Sequence, residues 1–283
     1  MEEELRIFAE NELAKLYKPK QNSVKQDNGQ VTIIGGSRLF HGALILSLKT
    51  AARVVDMVFF ASPEPSVGRV AEKLKSQLSS FIWVPWEKVE EYIKKSDAVL
   101  VGPGFLRYHQ SQNSQCDEAC QQTREITEGF LKKFPDKHWA IDAGSLQTMN
   151  PDFIPQNAIL TPNRKEFERL FGLPMDQKNL LQMAEKHRCI IVGKGVETVV
   201  VSPQESVSVR GGNAGLTKGG TGDVLAGLTV ALAAKNPPFL AACAASLIVK
   251  KAAEELFKKV GFAYNADDLA EKIPEVLGKY WHS

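Results

Sequence analysis

Six of the twelve residues in 211–222 are glycine, and the chain then runs straight into an apolar stretch, 224–232. In GGNAGLTKGGTGDVLAGLTVAL the glycines let backbone approach a ligand closely, because no Cβ stands in the way. The helix predicted from Val224 leaves free N–H groups and a partial positive charge at its first turn, a combination that binds phosphate. Asp223 stands at that helix start, where its carboxylate can cap the N–H groups or reach a substrate hydroxyl. No glycine is followed by Lys and then Ser or Thr at the Walker spacing, so this is a phosphate loop of another kind.

The flanking chain predicts the scaffold for such a loop. Short apolar or β-branched runs at 31–34, 57–61, 81–84, 97–101, 139–141, 158–160 and 189–192 predict strands, and 198–202 with 207–209 a hairpin. Helical spacing predicts helices over 42–55, 67–78, 88–95, 123–134, 164–171, 180–187, 224–234, 239–258 and 267–278. Strands alternating with helices imply an α/β fold, a central mostly parallel sheet with helices on both faces. Ligands bind such sheets at the carboxyl ends of the strands. Gly35-Gly36, Gly102-Pro103-Gly104, Asp142, Thr161-Pro162-Asn163 and Gly193-Lys194-Gly195 all fall at those ends, which argues for one shared cleft. Leu5, Phe8, Leu13 and Leu16 predict a helix over 3–17, and the polar residues 18–29 a linker. No composition shift interrupts 30–275, so 30–283 is expected to be one domain behind that N-terminal helix and linker of 1–29.

Composition narrows the function classes. A net charge of +2 on 283 residues gives no strong field toward nucleic acid or a membrane surface. No apolar run reaches the ~18 residues of a membrane helix, and residues 1–12 lack the features of a signal peptide, so the expected location is the cytoplasm. Four cysteines are too few for a disulfide scaffold at this length. Cys116 and Cys120, with His109 nearby, fall short of the four-ligand set that zinc prefers, and the five histidines show no metal spacing. No metal ligands are expected from the chain, and Cys189 and Cys243 read as buried, reduced thiols.

GNAGLTKGGTGDVLAG resembles the signature of the NAD(P)H-hydrate dehydratases, a branch of the ribokinase-like superfamily, with a pattern close to GN-x-G-M-[AT]-x-GGTGD-x-LAG. The main departure is Leu216, and weaker landmarks extend the resemblance over roughly 25–275. That family returns the hydrated, damaged form of NADH or NADPH to the working cofactor, using ADP or ATP. The resemblance implies that Asp223 is the general base and that Ala43, Gly104, Asn163 and Asp223 contact the hydrated cofactor. Lys194-Gly195-Val196-Glu197-Thr198 resembles the family's KGxxT segment, and with Asn213, Gly220, Thr221 and Gly222 would hold the adenine nucleotide. Mg²⁺ would be carried mainly by the nucleotide phosphates. The resemblance also suggests a homo-oligomer, and the short stretch before the first strand leaves no room for the epimerase domain that some chains of the family carry.

Three departures lie toward the substrate side. The family's TPHPGE is Thr161-Pro162-Asn163-Arg164-Lys165-Glu166, so Asn163 replaces a histidine. Its Asp-Ala-Asp is Asp142-Ala143-Gly144, which removes a carboxylate, and Val54-Val55-Asp56-Met57 replaces a small-residue turn. A second reading in the same fold is therefore a small-molecule kinase for a vitamin precursor or sugar, since many ribokinase-like kinases carry the Asn-x-x-Glu of Asn163 and Glu166. A third is a catalytically silent nucleotide-binding protein, against which Asp223 and Lys194 stand.

Overall fold

The computed structural model describes residues 4–107 and 117–281. From the N-terminus come β1 (Arg6–Ile7), β2 (Gln30–Ile34), α1 (His41–Ala51), β3 (Met57–Ala61), α2 (Pro65–Leu74), β4 (Ile82–Trp83), α3 (Val89–Lys95) and β5 (Ala98–Val101). They are followed by α4 (Glu118–Lys133), β6 (His138–Ile141), α5 (Ala143–Thr148), β7 (Ile159–Leu160), α6 (Arg164–Phe171), α7 (Gln177–His187) and β8 (Ile190–Gly193). The hairpin β9 (Thr198–Val201) and β10 (Ser206–Val209) then precedes three helices, α8 (Thr221–Ala233), α9 (Pro238–Val260) and α10 (Ala266–Trp281).

The strands form one sheet in the order β1-β10-β9-β8-β7-β6-β5-β2-β3-β4. All neighbours are parallel except β9, which runs antiparallel to both β8 and β10. Alternate side chains of each strand serve opposite faces. Ile33, Phe60 and Leu100 enter the core beneath α1, α8, α9 and α10, while Ile34, Phe59, Val99 and Val101 enter the core beneath α3, α4, α6 and α7. Strands covered on both sides must be apolar throughout, which is why 98–101 reads as AVLV rather than as an alternation.

The glycine run delivers α8 into the centre of this arrangement. Every residue of α8 from Val224 to Ala233 is buried, with α1 and α9 beside it and β5 and β6 beneath it. At Gly227 the approach to α1 is so close that a Cβ would lie 2.5 Å from the Ser47 carbonyl oxygen. Ser47 Oγ in turn donates to the carbonyl of Asp223 at 2.9 Å, tying the start of α8 to α1.

The N-terminal segment departs from expectation: it is not a helix over 3–17 but β1 followed by a 3-10 helix, Glu10–Lys15. The competing influence is tertiary. β10 would otherwise expose an edge, and β1 pairs with it in parallel, with Phe8 N–H donating to Ser208 O at 2.9 Å. Phe8, Leu13 and Leu16 are then buried in the main core, so the segment is part of the packed body. His109 and Cys116 lie outside the described residues.

Candidate active site

Glycines weld the strand ends into one surface. Gly36 N–H donates to the Pro103 carbonyl at 2.8 Å. Gly104, at φ 74, is so close to the turn before α1 that a Cβ would meet the Phe40 carbonyl oxygen at 2.4 Å. Gly102, at φ 121, presses on Asp142, where a Cβ would fall 1.9 Å from the carbonyl oxygen. Gly144 is pressed in the same way, since a Cβ there would lie 2.6 Å from the Phe105 carbonyl oxygen. The ends of β2, β5 and β6 and the start of α1 thus stand in contact.

Beside them, four charged side chains from four elements converge. Asp142 follows β6, Glu166 lies in the first turn of α6, Lys194 follows β8, and Asp223 lies in the first turn of α8. Lys194 Nζ donates to Asp142 Oδ1 at 3.0 Å and stands 3.6 Å from Glu166 Oε2. Thr161 Oγ1 donates to the same Asp142 oxygen at 2.7 Å. Burial alone would lower the Lys194 pKa, but the charges of Asp142 and Glu166, and then of Asp223, hold it above the ordinary lysine range. Asp223 is moved the other way. Burial first, and then the charge of Asp142, push its carboxyl up to about 7, with Lys194 drawing it partly back.

Asp223 does not cap its helix, contrary to one of its two expected roles. The N-cap is Gly220, left-handed at φ 94, and no side chain caps this end, so Asp223 is the third helical residue. Thr221 N–H turns back to the Lys218 carbonyl at 3.4 Å, and no side chain competes with a ligand for this end of the helix. Gly222 lies beside the ammonium: a Cβ there would stand 3.4 Å from Lys194 Nζ.

A cavity of about 680 Å³ adjoins this group. Asn163, Lys194, Gly195, Val196, Thr198, Asn213, Thr221 and Gly222 all line it, together with Leu216, Leu225 and Val249 as apolar wall. Its volume and its mixture of an apolar wall with a few polar groups suit a molecule of nucleotide size. The other expected residues fall elsewhere or have other work. Glu197 is absent from the lining and bonds the Ser208 hydroxyl and Arg210, whose Nε lies 2.9 Å away. Gly220 packs on Leu46 and Ala266. Asn213 spends its side chain on Ala253 O, Gly215 N and the Tyr264 hydroxyl. Ala43 occupies the first turn of α1, its carbonyl accepting from Ser47 Oγ at 3.3 Å.

Asn163 is the N-cap of α6. Its Oδ1 accepts from Glu166 N–H at 3.0 Å while Glu166 Oε2 accepts from Asn163 N–H at 2.9 Å, a reciprocal capping box. The Asn-x-x-Glu pattern therefore has a local structural use. Two groups of the site carry little signal in the sequence. Glu166 stands out only through that pattern, and Lys250, which also lines the cavity, not at all, because its position at the end of the apolar part of α9 marks no chemistry. The reach of Asp142 to Lys194 follows only from the adjacency of β6, β7 and β8.

Comparison with known proteins places the chain in a family. A family model described as NAD(P)H-hydrate dehydratase matches residues 31–275. A bifunctional NAD(P)H-hydrate repair enzyme of Methanocaldococcus jannaschii is 36% identical over 281 residues, which cover 96% of this chain and 52% of that protein. An ADP-dependent (S)-NAD(P)H-hydrate dehydratase of Cenarchaeum symbiosum is 28% identical over 293 residues, covering 96% of each chain. Among solved structures, the ADP/ATP-dependent NAD(P)H-hydrate dehydratase of Bacillus subtilis, co-crystallized with ATP/Mg²⁺, superposes with a TM-score of 0.80 at 23% identity, covering 98% of this chain and 99% of that one. That likeness shows the ribokinase-like fold. The chain spans about half the length of the bifunctional relatives it matches. On the match across 31–275, the chain belongs to the NAD(P)H-hydrate dehydratase family.

Proposed function

We propose that this chain dehydrates hydrated NADH or NADPH back to the working cofactor, with ADP or ATP as co-substrate. The observation that carries the reading is Asp223, a mostly buried carboxyl pushed up to about 7, which sits beside Lys194 and next in the chain to Gly222, both of which line a nucleotide-sized cavity. A general base works best when its pKa lies near the working pH. Asp223 takes the proton of the C6 hydroxyl as that oxygen attacks the terminal phosphorus of the nucleotide, whose bridging P–O bond breaks. The uncapped first turn of α8 and the Lys194 ammonium stabilise charge on the transferring phosphoryl group. The C6–O bond then breaks with phosphate as leaving group, the neighbouring ring carbon loses a proton, and the ring double bond returns.

Mg²⁺ fits this site only as a passenger on the nucleotide, where it would neutralise phosphate charge. Asp142 and Glu166 are both engaged by Lys194, and no three His, Cys, Asp or Glu side chains cluster as ligands among the described residues. The kinase reading draws less support, since the capping box between Asn163 and Glu166 accounts for the pattern that favoured it.

The test is to mix the purified protein with hydrated NADH and follow the absorbance of regenerated NADH. NADH is expected to appear only when ADP or ATP is present. Because Asp223 must be ionised in the free enzyme, kcat/KM for the hydrated cofactor should rise about tenfold per pH unit below about 7 and level off above it. A flat profile from pH 5 to 8 would remove Asp223 from the role of base.

A further inference from the structure

Between Ala241 and Ala253, α9 is buried almost throughout, and one of its buried residues is a lysine. Lys250 is only 4% exposed. Its Nζ donates to the carbonyl of Val196 at 2.7 Å and to that of Gly211 at 3.1 Å, and no carboxylate forms an ion pair with it among the described residues. Glu197 and Glu254 act on it only from a distance, and burial draws its pKa below the ordinary lysine range. Burying an ammonium without a paired anion is costly, so its two hydrogen bonds must secure something of use.

The two carbonyls belong to different walls of the cavity. Val196 sits in the turn between β8 and β9 and is 98% exposed, so its side chain contributes no packing that would hold the turn in place. Gly211 begins the glycine run at φ 100, and α9 grips that corner a second time, with Glu254 Oε1 accepting from Gly212 N–H at 2.9 Å. Val196, Gly211 and Lys250 all line the cavity.

We propose that Lys250 is a positioning residue for nucleotide binding: its ammonium straps the turn after β8 to the Gly211 corner and so fixes the separation of the two cavity walls. The inference rests on the reading of this cavity as the nucleotide site. Lys250 acts through backbone carbonyls and not on phosphate, so the whole nucleoside end of the ligand senses its loss.

The experiment titrates wild type, Lys250→Met and Lys250→Gln with ADP and with adenosine by calorimetry, and follows backbone hydrogen exchange in 195–198 and 211–213. Lys250→Met should weaken ADP and adenosine by the same factor, about tenfold or more, as expected for two lost charge-assisted hydrogen bonds. Lys250→Gln keeps an N–H donor and should recover part of that loss. Exchange should quicken in both segments together in Lys250→Met. Wild-type affinity in Lys250→Met would overturn the strap. So would a loss for ADP far exceeding that for adenosine, which would make Lys250 a phosphate ligand. If Lys250→Met does not fold, Lys250→Gln decides, and wild-type exchange in both segments overturns the strap. If wild type itself binds no ADP, the nucleotide reading fails, and the paired exchange of the two segments still decides whether Lys250 joins them.

Discussion

Asp223→Asn is expected to slow turnover of hydrated cofactor by about 10²–10⁴-fold, the usual cost of removing a general base, while making the protein more heat-stable at neutral and alkaline pH. The two effects share one cause. The folded protein raises the Asp223 pKa from 3.8 to about 7, which means that its charged form is disfavoured on folding. Below about pH 4 the carboxyl is protonated in folded and unfolded chains alike, and no penalty exists. Between about 4 and 7 the unfolded chain ionises and the folded one does not, so stability falls as pH rises, and above 7 the full cost is present. An upper value for that cost is about 4 kcal/mol, since each tenfold change in the acid dissociation constant is worth about 1.4 kcal/mol. Asn is nearly isosteric and never ionises, so the variant escapes the cost. Melting curves of both proteins at pH 4 and 8 check this: the gap should open only at the higher pH. A variant that melts lower than wild type at pH 8 would show that the carboxylate stabilises the fold.

Lys194→Met should destabilise the protein by about 3–5 kcal/mol at neutral pH, the range for removing one partner of a buried ion pair. Lys194 lies among three carboxylates with only 20% of its side chain exposed, and the Asp142 side chain is 2% exposed. Without the ammonium, Asp142, Glu166 and Asp223 repel one another in a site that water cannot fully screen. The raised Lys194 pKa means that its contribution is present at every pH below the ordinary lysine range and is lost only as pH rises through the raised value. In the variant, acid relieves the repulsion through Asp223, whose raised pKa lets it take up a proton as pH falls below about 7, so the deficit should shrink from neutral pH to pH 4. Denaturant unfolding at both pH values measures it. If Lys194→Met unfolds like wild type and loses only nucleotide affinity, the lysine is a phosphate ligand with no structural share.

The parts legible in the sequence are those set by local chemistry. Helix α6 has the limits its residues predict because Asn163 caps its start and Gly172, left-handed at φ 69, ends it. The strand ends can be read as one cleft because glycine, proline and aspartate interrupt apolar runs there. What sequence reasoning misses depends on distant partners. Residues 3–17 have helical spacing, but the open edge of β10 takes Arg6–Ile7 as a strand instead. Asp223 looks like an N-cap because Asp commonly is one, whereas the left-handed Gly220 moves the cap three residues earlier. Glu197 matches a segment pattern, yet Arg210 and Ser208 across the hairpin claim its side chain. Lys250 gives no signal, because the two carbonyls it binds lie 54 and 39 residues away in the chain.

The most direct measurement is the product balance by phosphorus NMR after hydrated NADH and ADP are mixed with the protein. Phosphoryl transfer to the C6 oxygen followed by loss of phosphate predicts NADH, AMP and inorganic phosphate in equal amounts, with none of the three formed by Asp223→Asn at a comparable rate. A phosphorylated cofactor that accumulates without NADH, or NADH regenerated with ADP left intact, would contradict it.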